Sequence, residues 1–260
     1  MLSRYTYSIV LTAVVMAFFS FCIPNDGSLN TVKTVVIDAG HGGKDPGTGG
    51  GKEKRFALDI ALRLGKMIKQ NAKDVEVIYT RSSDVFIPLN ERAAIANRNQ
   101  ADLFISIHCN AHTASSASGT ETYVMGLHKS EANLNLAKRE NNVILLEDNY
   151  KKSYKGFDPN SPLAHIMLAN FQSAFMEKST DFAAKVESNF SKNGLKSRGV
   201  KQAGFLVIWE TTMPSVLIET GYLSNPSDAA TLASETGREK IAKAIYSAFD
   251  SYKSDVERNQ

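Results

Sequence analysis

Only two cysteines, Cys22 and Cys109, occur in 260 residues. Cys22 closes an N-terminal apolar run, so cleavage after it would leave Cys109 alone and exclude an intramolecular disulfide. An excess of one charge is also missing: 30 Lys+Arg stand against 27 Asp+Glu, a formal net charge of +3. With no dense basic block, no nucleic-acid partner is expected. No internal repeat or low-complexity linker divides the chain, which argues for one domain. What is present in quantity is apolar side chain, 43% of residues, enough for an ordinary globular core.

Long hydrophobic runs are confined to the N-terminus, where Arg4 precedes an apolar stretch from Ser8 to Ile23. The polar, breaker-rich Pro24-Asn25-Asp26-Gly27-Ser28 follows. Residues 1–23 therefore read as an export signal and 24–32 as a short linker. The run is short for a membrane span, which needs about 20 residues, with an uncleaved N-terminal anchor as the alternative. Lipid attachment at Cys22 is disfavoured by the bulky Phe21 before it. Membrane association is thus expected only through signal, anchor or lipid, and the expected location is the periplasm or cell envelope.

Chemistry concentrates at the ends of apolar, β-branched stretches. Val35-Val36-Ile37-Asp38-Ala39-Gly40-His41 reads as a buried strand ending in a His between glycines, which relieve crowding and present the ring. An amphipathic helix from Glu53 to Asn71 follows, with Ala57, Ile60, Ala61, Leu64, Met67 and Ile68 at helical spacing. Strands are expected at Val75–Thr80, Asp102–His108, Gly119–Met125, Gly204–Trp209 and Ser215–Thr220, and helices from Pro88 to about Asn99, Glu131 to Tyr150, Leu163 to Ser191 and Gly237 to Tyr252. The fold class is α/β, a single domain with a central, largely parallel or mixed sheet flanked by helices plus an inserted helical region.

In open α/β sheets ligands gather at the carboxyl ends of strands. His41 and His108 both end strands there, and Glu53 starts the helix after the first. Two imidazoles and a carboxylate are a three-ligand set for catalytic Zn2+, which lowers the pKa of water to about 7. Glu219, ending the strand Ser215–Thr220, would take the water's proton and pass it to a leaving nitrogen. Alone, Glu53 could serve the helix dipole and Glu219 a turn; together with the histidines they form a consistent set. Cys109 should point to the opposite face and pack in the core. His112, His128 and His165 are expected as surface or loop residues. Asp38 reads equally as an orienting acid or a turn acid, and Arg81 and Arg92 as substrate contacts or loop braces.

These residues carry a family resemblance. Asp38-Ala39-Gly40-His41-Gly42-Gly43-Lys44-Asp45-Pro46-Gly47, Lys52-Glu53-Lys54, Leu89-Asn90-Glu91-Arg92, Ser106-Ile107-His108-Cys109-Asn110-Ala111 and Pro214-Ser215-Val216-Leu217-Ile218-Glu219-Thr220-Gly221-Tyr222 stand in order. The series resembles zinc-dependent N-acetylmuramoyl-L-alanine amidases of the cell-division-associated type. It implies a catalytic domain over 33–253, with a tail at 254–260. It also implies cleavage of the amide between N-acetylmuramic acid and L-alanine in peptidoglycan, releasing stem peptides for wall remodelling or daughter-cell separation. Metal ligands would fall on His41, Glu53 and His108, and the catalytic glutamate on Glu219. The insertion at 130–161 is similar to a blocking helix in which the Glu of a Glu-Asn pair reaches zinc. Glu140-Asn141 matches, so Glu140 is a possible regulatory ligand, to be displaced by a protein activator; a solvated surface Glu is the alternative. Competing readings are a zinc peptidase cutting within the stem peptide and a wall-binding module without activity.

Overall fold

Buried, largely apolar runs form the central strands of one six-stranded sheet among the described residues. The computed structural model describes residues 31–170 and 174–258, so the expected export signal and Cys22 lie outside the described residues. The strands are β1 Thr34–Ala39, β2 Glu76–Tyr79, β3 Leu103–Asn110, β4 Thr120–Met125, β5 Ser197–Ala203 and β6 Ser215–Tyr222. Their order is β2-β1-β3-β6-β4-β5, parallel throughout except for the β4 and β6 pair. The sheet is therefore mixed, flanked by helices on both faces as the fold class required.

Successive strand residues point to opposite faces, and the core divides accordingly. Val35, Ile37, Ile105, Ile107, Val216 and Ile218 pack on one face. Helices α1 Lys52–Asn71, α6 Met176–Lys192 and α8 Glu235–Arg258 cover them. Val36, Phe104, Tyr123 and Leu217 pack on the other. There α2 Leu89–Arg98 and α3 Glu131–Asn141 contribute Leu89, Ala96, Leu136 and Ala137. No helix among the described residues is long and apolar enough to cross a membrane.

Several expected elements shift. The helix expected over Glu131–Tyr150 ends at Asn141, then becomes a 3-10 turn, Asn142–Leu146, and the short α4, Tyr150–Ser153. Asn141 is pinned there: its amide donates to the Gly204 carbonyl at 2.8 Å and accepts from the Leu206 N–H at 2.9 Å. The long helix expected over Leu163–Ser191 is two, α5 Pro162–Ala169 and α6. Leu206–Ile208 is a 3-10 turn rather than a strand, and β5 precedes it. That edge strand, Ser-Arg-Gly-Val-Lys-Gln-Ala, is half exposed and lacks the apolar run that marks a buried strand. An Asn cap and a Pro at the first turn start α7, Pro226–Ala233, which the sequence reading passed over. The closing helix α8 runs beyond the expected end at Tyr252.

One buried ion pair braces the strand ends. Arg92 and Asp38 are almost fully buried and meet at 2.8 Å. Arg92 also donates to the carbonyls of Ala39, His41 and Ile87, and Asp38 accepts from the hydroxyls of Thr80 and Ser106, each at 2.6 Å. Burial opposes charge on Asp38, yet Arg92 and the hydroxyls hold its carboxyl below the usual range. Arg81 is spent similarly, on the carbonyls of Ala39, Gly40 and Lys54. Both arginines are thus loop braces, and Asp38 is the acid that receives one of them. Arg92→Ala is expected to cost about 3–5 kcal/mol in urea unfolding, because it strands a buried carboxylate. The exposed Arg98→Ala should leave the midpoint unchanged.

Candidate metal centre

His41 leaves β1 with a φ of 61°, in the left-handed region that side-chain-bearing residues seldom adopt. The turn this makes returns the chain toward α1. Missing side chains create the room: a Cβ on Gly40 would lie 2.5 Å from the His108 ring, and one on Gly47 2.7 Å from both His41 and Glu53. Gly40 therefore clears space for His108 rather than for its neighbour. Asp45 accepts from His41 Nδ1 at 2.8 Å, which directs Nε2 inward. Asp45 was not singled out from the sequence; its signal was a carboxylate four residues after His41 in a glycine-rich loop.

Three expected residues converge with Glu140. His41 Nε2 lies 3.1 Å from Glu53 Oε1 and 3.2 Å from Glu140 Oε2. His108 Nδ1 lies 3.4 Å and 3.3 Å from the same two oxygens. Metal bonds of 2.0–2.1 Å in a tetrahedron give edges of about 3.3 Å, which these four distances match. All four ligand atoms fall within 4.8 Å of one another. His41 Nε2, His108 Nδ1 and Glu140 Oε2 are buried without a hydrogen-bond partner, as donor atoms awaiting a cation would be. Glu53 is aimed by two backbone donors, the N–H of Thr48 at 2.7 Å and of Cys109 at 3.0 Å. The donor set fits a divalent metal ion.

The site is roofed, contrary to the expectation of openly presented rings. Glu140, at the last turn of α3, is buried over both histidines. Its other oxygen accepts from Arg139 at 3.0 Å, and Arg139 also donates to the Ala111 carbonyl and Asn110 Oδ1. Glu219 stands beside the group on β6, in register with His108 of β3 and Glu121 of β4. It is fully buried, and neither carboxylate oxygen has a hydrogen-bond partner. Cys109 faces the opposite layer and packs in the core as expected, its Sγ 3.4 Å from Thr220 Oγ1.

Charge in the metal-free chain is divided among these groups. Burial and the negative charges of Glu140 and Glu53 push the Glu219 carboxyl well above its usual range. Burial resists ionisation of Glu53 too, but His41 beside it brings that carboxyl down to about 2. Burial works against a proton on His108, yet Glu140 and Glu53 raise its pKa to about 9. His41 moves the same way. Protons thus occupy the donor atoms that a metal ion would take.

His165 departs from expectation. It is fully buried on α5 rather than exposed, with Nε2 donating to the Pro159 carbonyl at 2.9 Å and Nδ1 facing the Asn141 amide at 3.5 Å. Local polarity gave no sign that a loop would wrap it. His112 is exposed and His128 half-buried, and neither joins the metal group.

Comparison with known proteins places this geometry in a family. The family model described as N-acetylmuramoyl-L-alanine amidase matches residues 35–251. Protein YqiI of Bacillus subtilis is 36% identical over 223 residues, 85% of this chain and 84% of that protein. The N-acetylmuramoyl-L-alanine amidase AmiC of Escherichia coli is 33% identical over 240 residues, 89% of this chain but 56% of AmiC. Among solved structures, the catalytic domain of the N-acetylmuramoyl-L-alanine amidase CwlV from Bacillus (Paenibacillus) polymyxa var. colistinus superposes with a TM-score of 0.58. It shares 35% identity, covering 86% of this chain and 99% of that one.

Asp45→Ala should release the His41 ring and lower metal affinity by about 10–100-fold, measured by competition with a chelator, while circular dichroism stays unchanged.

Proposed function

The chain belongs to the N-acetylmuramoyl-L-alanine amidase family, and from that premise we propose that it is a zinc-dependent hydrolase of the amide joining N-acetylmuramic acid to L-alanine in peptidoglycan. The observation that carries this reading is the group of four buried donor atoms within 4.8 Å of one another, three of them without a hydrogen-bond partner, with an unpaired carboxyl, Glu219, beside it. An inactive wall-binding module would have no use for either. Export to the periplasm or cell envelope through residues 1–23 accords with an extracytoplasmic substrate.

His41, Glu53 and His108 would hold the metal, with Asp45 orienting the first and two backbone N–H groups the second. Zinc in such a site supplies Lewis acidity, acidifying water to a pKa of about 7 and polarising a carbonyl. Glu219 accepts the water's proton and delivers it to the departing nitrogen. Burial and the nearby carboxylates raise its hold on a proton, which suits the delivery step, while the positive charge of a bound metal would lower that hold and leave a carboxylate able to accept first.

Glu140 fills the position that a substrate needs. The resting chain is therefore autoinhibited, and a protein activator that draws α3 away opens the site. This extends the expectation for the insertion at 130–161 from one residue to the whole roof, since Arg139 and Asn141 hold α3 on either side of Glu140.

Glu219→Ala should keep its zinc, measured by elemental analysis, and lose about 10²–10⁴-fold in stem-peptide release from purified peptidoglycan. Glu140→Ala should raise basal release several-fold; unchanged release removes the autoinhibition. Because the histidines carry protons in the metal-free chain, with His108 near pKa 9, zinc binding should expel protons and tighten as pH rises from 6 toward 9. Calorimetry in buffers of different ionisation enthalpy reads this directly.

A further inference from the structure

A cavity of about 610 Å³ lies beside the metal centre, between the sheet and α3, and the metal chemistry does not use it. Asn110, Glu121, Arg139, Arg198, Lys201 and Tyr222 contribute its polar lining. Glu121 is buried at its floor. It accepts from Tyr123 at 2.7 Å and Tyr222 at 3.0 Å and bonds both Arg198 and Lys201. Two cations share one carboxylate, which leaves one positive charge unanswered. Arg139 is already paired with Glu140. The Arg198 and Lys201 side chains remain 35% and 22% exposed, so an incoming anion can reach them.

Strand order turns this chemistry into a direction. Reading across the sheet, His41 follows the end of β1, His108 lies on β3, Glu219 on β6, Glu121 on β4, and Arg198 and Lys201 on β5. Glu121 lies opposite Glu219 in the β4–β6 register. If Glu219 protonates the leaving nitrogen, the peptide behind that nitrogen runs on toward β4 and β5, and the glycan lies toward β1. Neighbouring strands are about 4.8 Å apart, and one extended residue spans about 3.3–3.6 Å. The cations on Glu121 are thus about one residue beyond the cleaved bond.

Resting on the amidase reading, the geometry points to a specificity subsite in which Arg198 and Lys201 bind the free α-carboxylate of the γ-linked D-glutamate that follows L-alanine, with Glu121 as the positioning residue for both cations. Asn110 Oδ1 and the Ala111 carbonyl, held by Arg139 in the resting chain, become acceptors for peptide N–H groups once α3 leaves. The subsite favours an acid over its amide because the carboxamide brings no charge to offset the surplus cation.

The test is calorimetric titration of zinc-loaded Glu140→Ala protein with L-alanyl-D-glutamate whose γ-carboxyl is capped as its methylamide, and with the α-carboxamide of the same capped peptide. The acid should bind at least about tenfold tighter, as expected for a charge-assisted contact. That preference should disappear in the additional Arg198→Gln/Lys201→Gln pair and survive in Lys201→Arg. Thermal melting reports whether the pair folds; if it does not, Lys201→Gln alone should reduce the preference. Equal affinity for the two peptides, binding of neither, or a preference that survives removal of the cations overturns the subsite. Stem-peptide release from peptidoglycan by the same preparation tests the reaction separately. Release without discrimination rejects the subsite and keeps the amidase; discrimination without release keeps the subsite and rejects the reaction.

Discussion

Two imidazoles and three carboxylates crowded into a dry space are tolerable only if positive charge stands among them. Without an ion, the neighbouring carboxylates favour protons on His41 and His108, and burial favours one on Glu219. A divalent ion meets the need for positive charge better, because it satisfies four lone pairs at once and needs no proton on the donors. The surrounding structure keeps the groups from escaping. Gly40 and Gly47 let backbone and rings approach, Asp45 turns His41, two backbone N–H groups fix Glu53, and the Arg92–Asp38 brace ties β1 to α2 beneath the turn.

The same crowding gives the roof its meaning. A glutamate on a surface helix would ordinarily face water, but Glu140 trades hydration for the histidines and Arg139. Asn141 supports the exchange from the next position by bonding the turn after β5. Closure is therefore set by contacts at the helix end, and the 3-10 segment that follows α3 is where the chain departs from a continuous helix. In the autoinhibition proposed above, opening would trade those contacts for substrate, and the balance between closed and open chains would be a difference of interactions that a binding partner could shift.

Legibility in the sequence followed the physics of each element. His41, His108 and Glu219 could be read because apolar runs end on them, and strand ends in an α/β sheet face the ligand crevice. Glu53 followed from its place at the first turn of an evident amphipathic helix. Glu140 emerged only through resemblance, since nothing in the polar periodicity of α3 separates a buried carboxylate from a solvated one. Asp45 was missed because loop geometry, which local pattern does not encode, brings it onto His41. Strand β5 was missed because an edge strand carries polar side chains, and Arg198 and Lys201 went unnoticed with it. His165 was misjudged because its burial depends on the loop at Pro159 folding back over the ring and on Asn141, 24 residues away, neither of which local polarity signals.

The central claim is that a metal ion sits among four side chains of the resting protein, with Glu140 as the fourth. Anomalous diffraction at the zinc edge from zinc-loaded crystals of the wild-type chain tests it most directly. The account predicts one strong peak bonded to His41 Nε2, Glu53 Oε1, His108 Nδ1 and Glu140 Oε2. A peak elsewhere, or a zinc ion on the first three with Glu140 turned out to solvent, would contradict it.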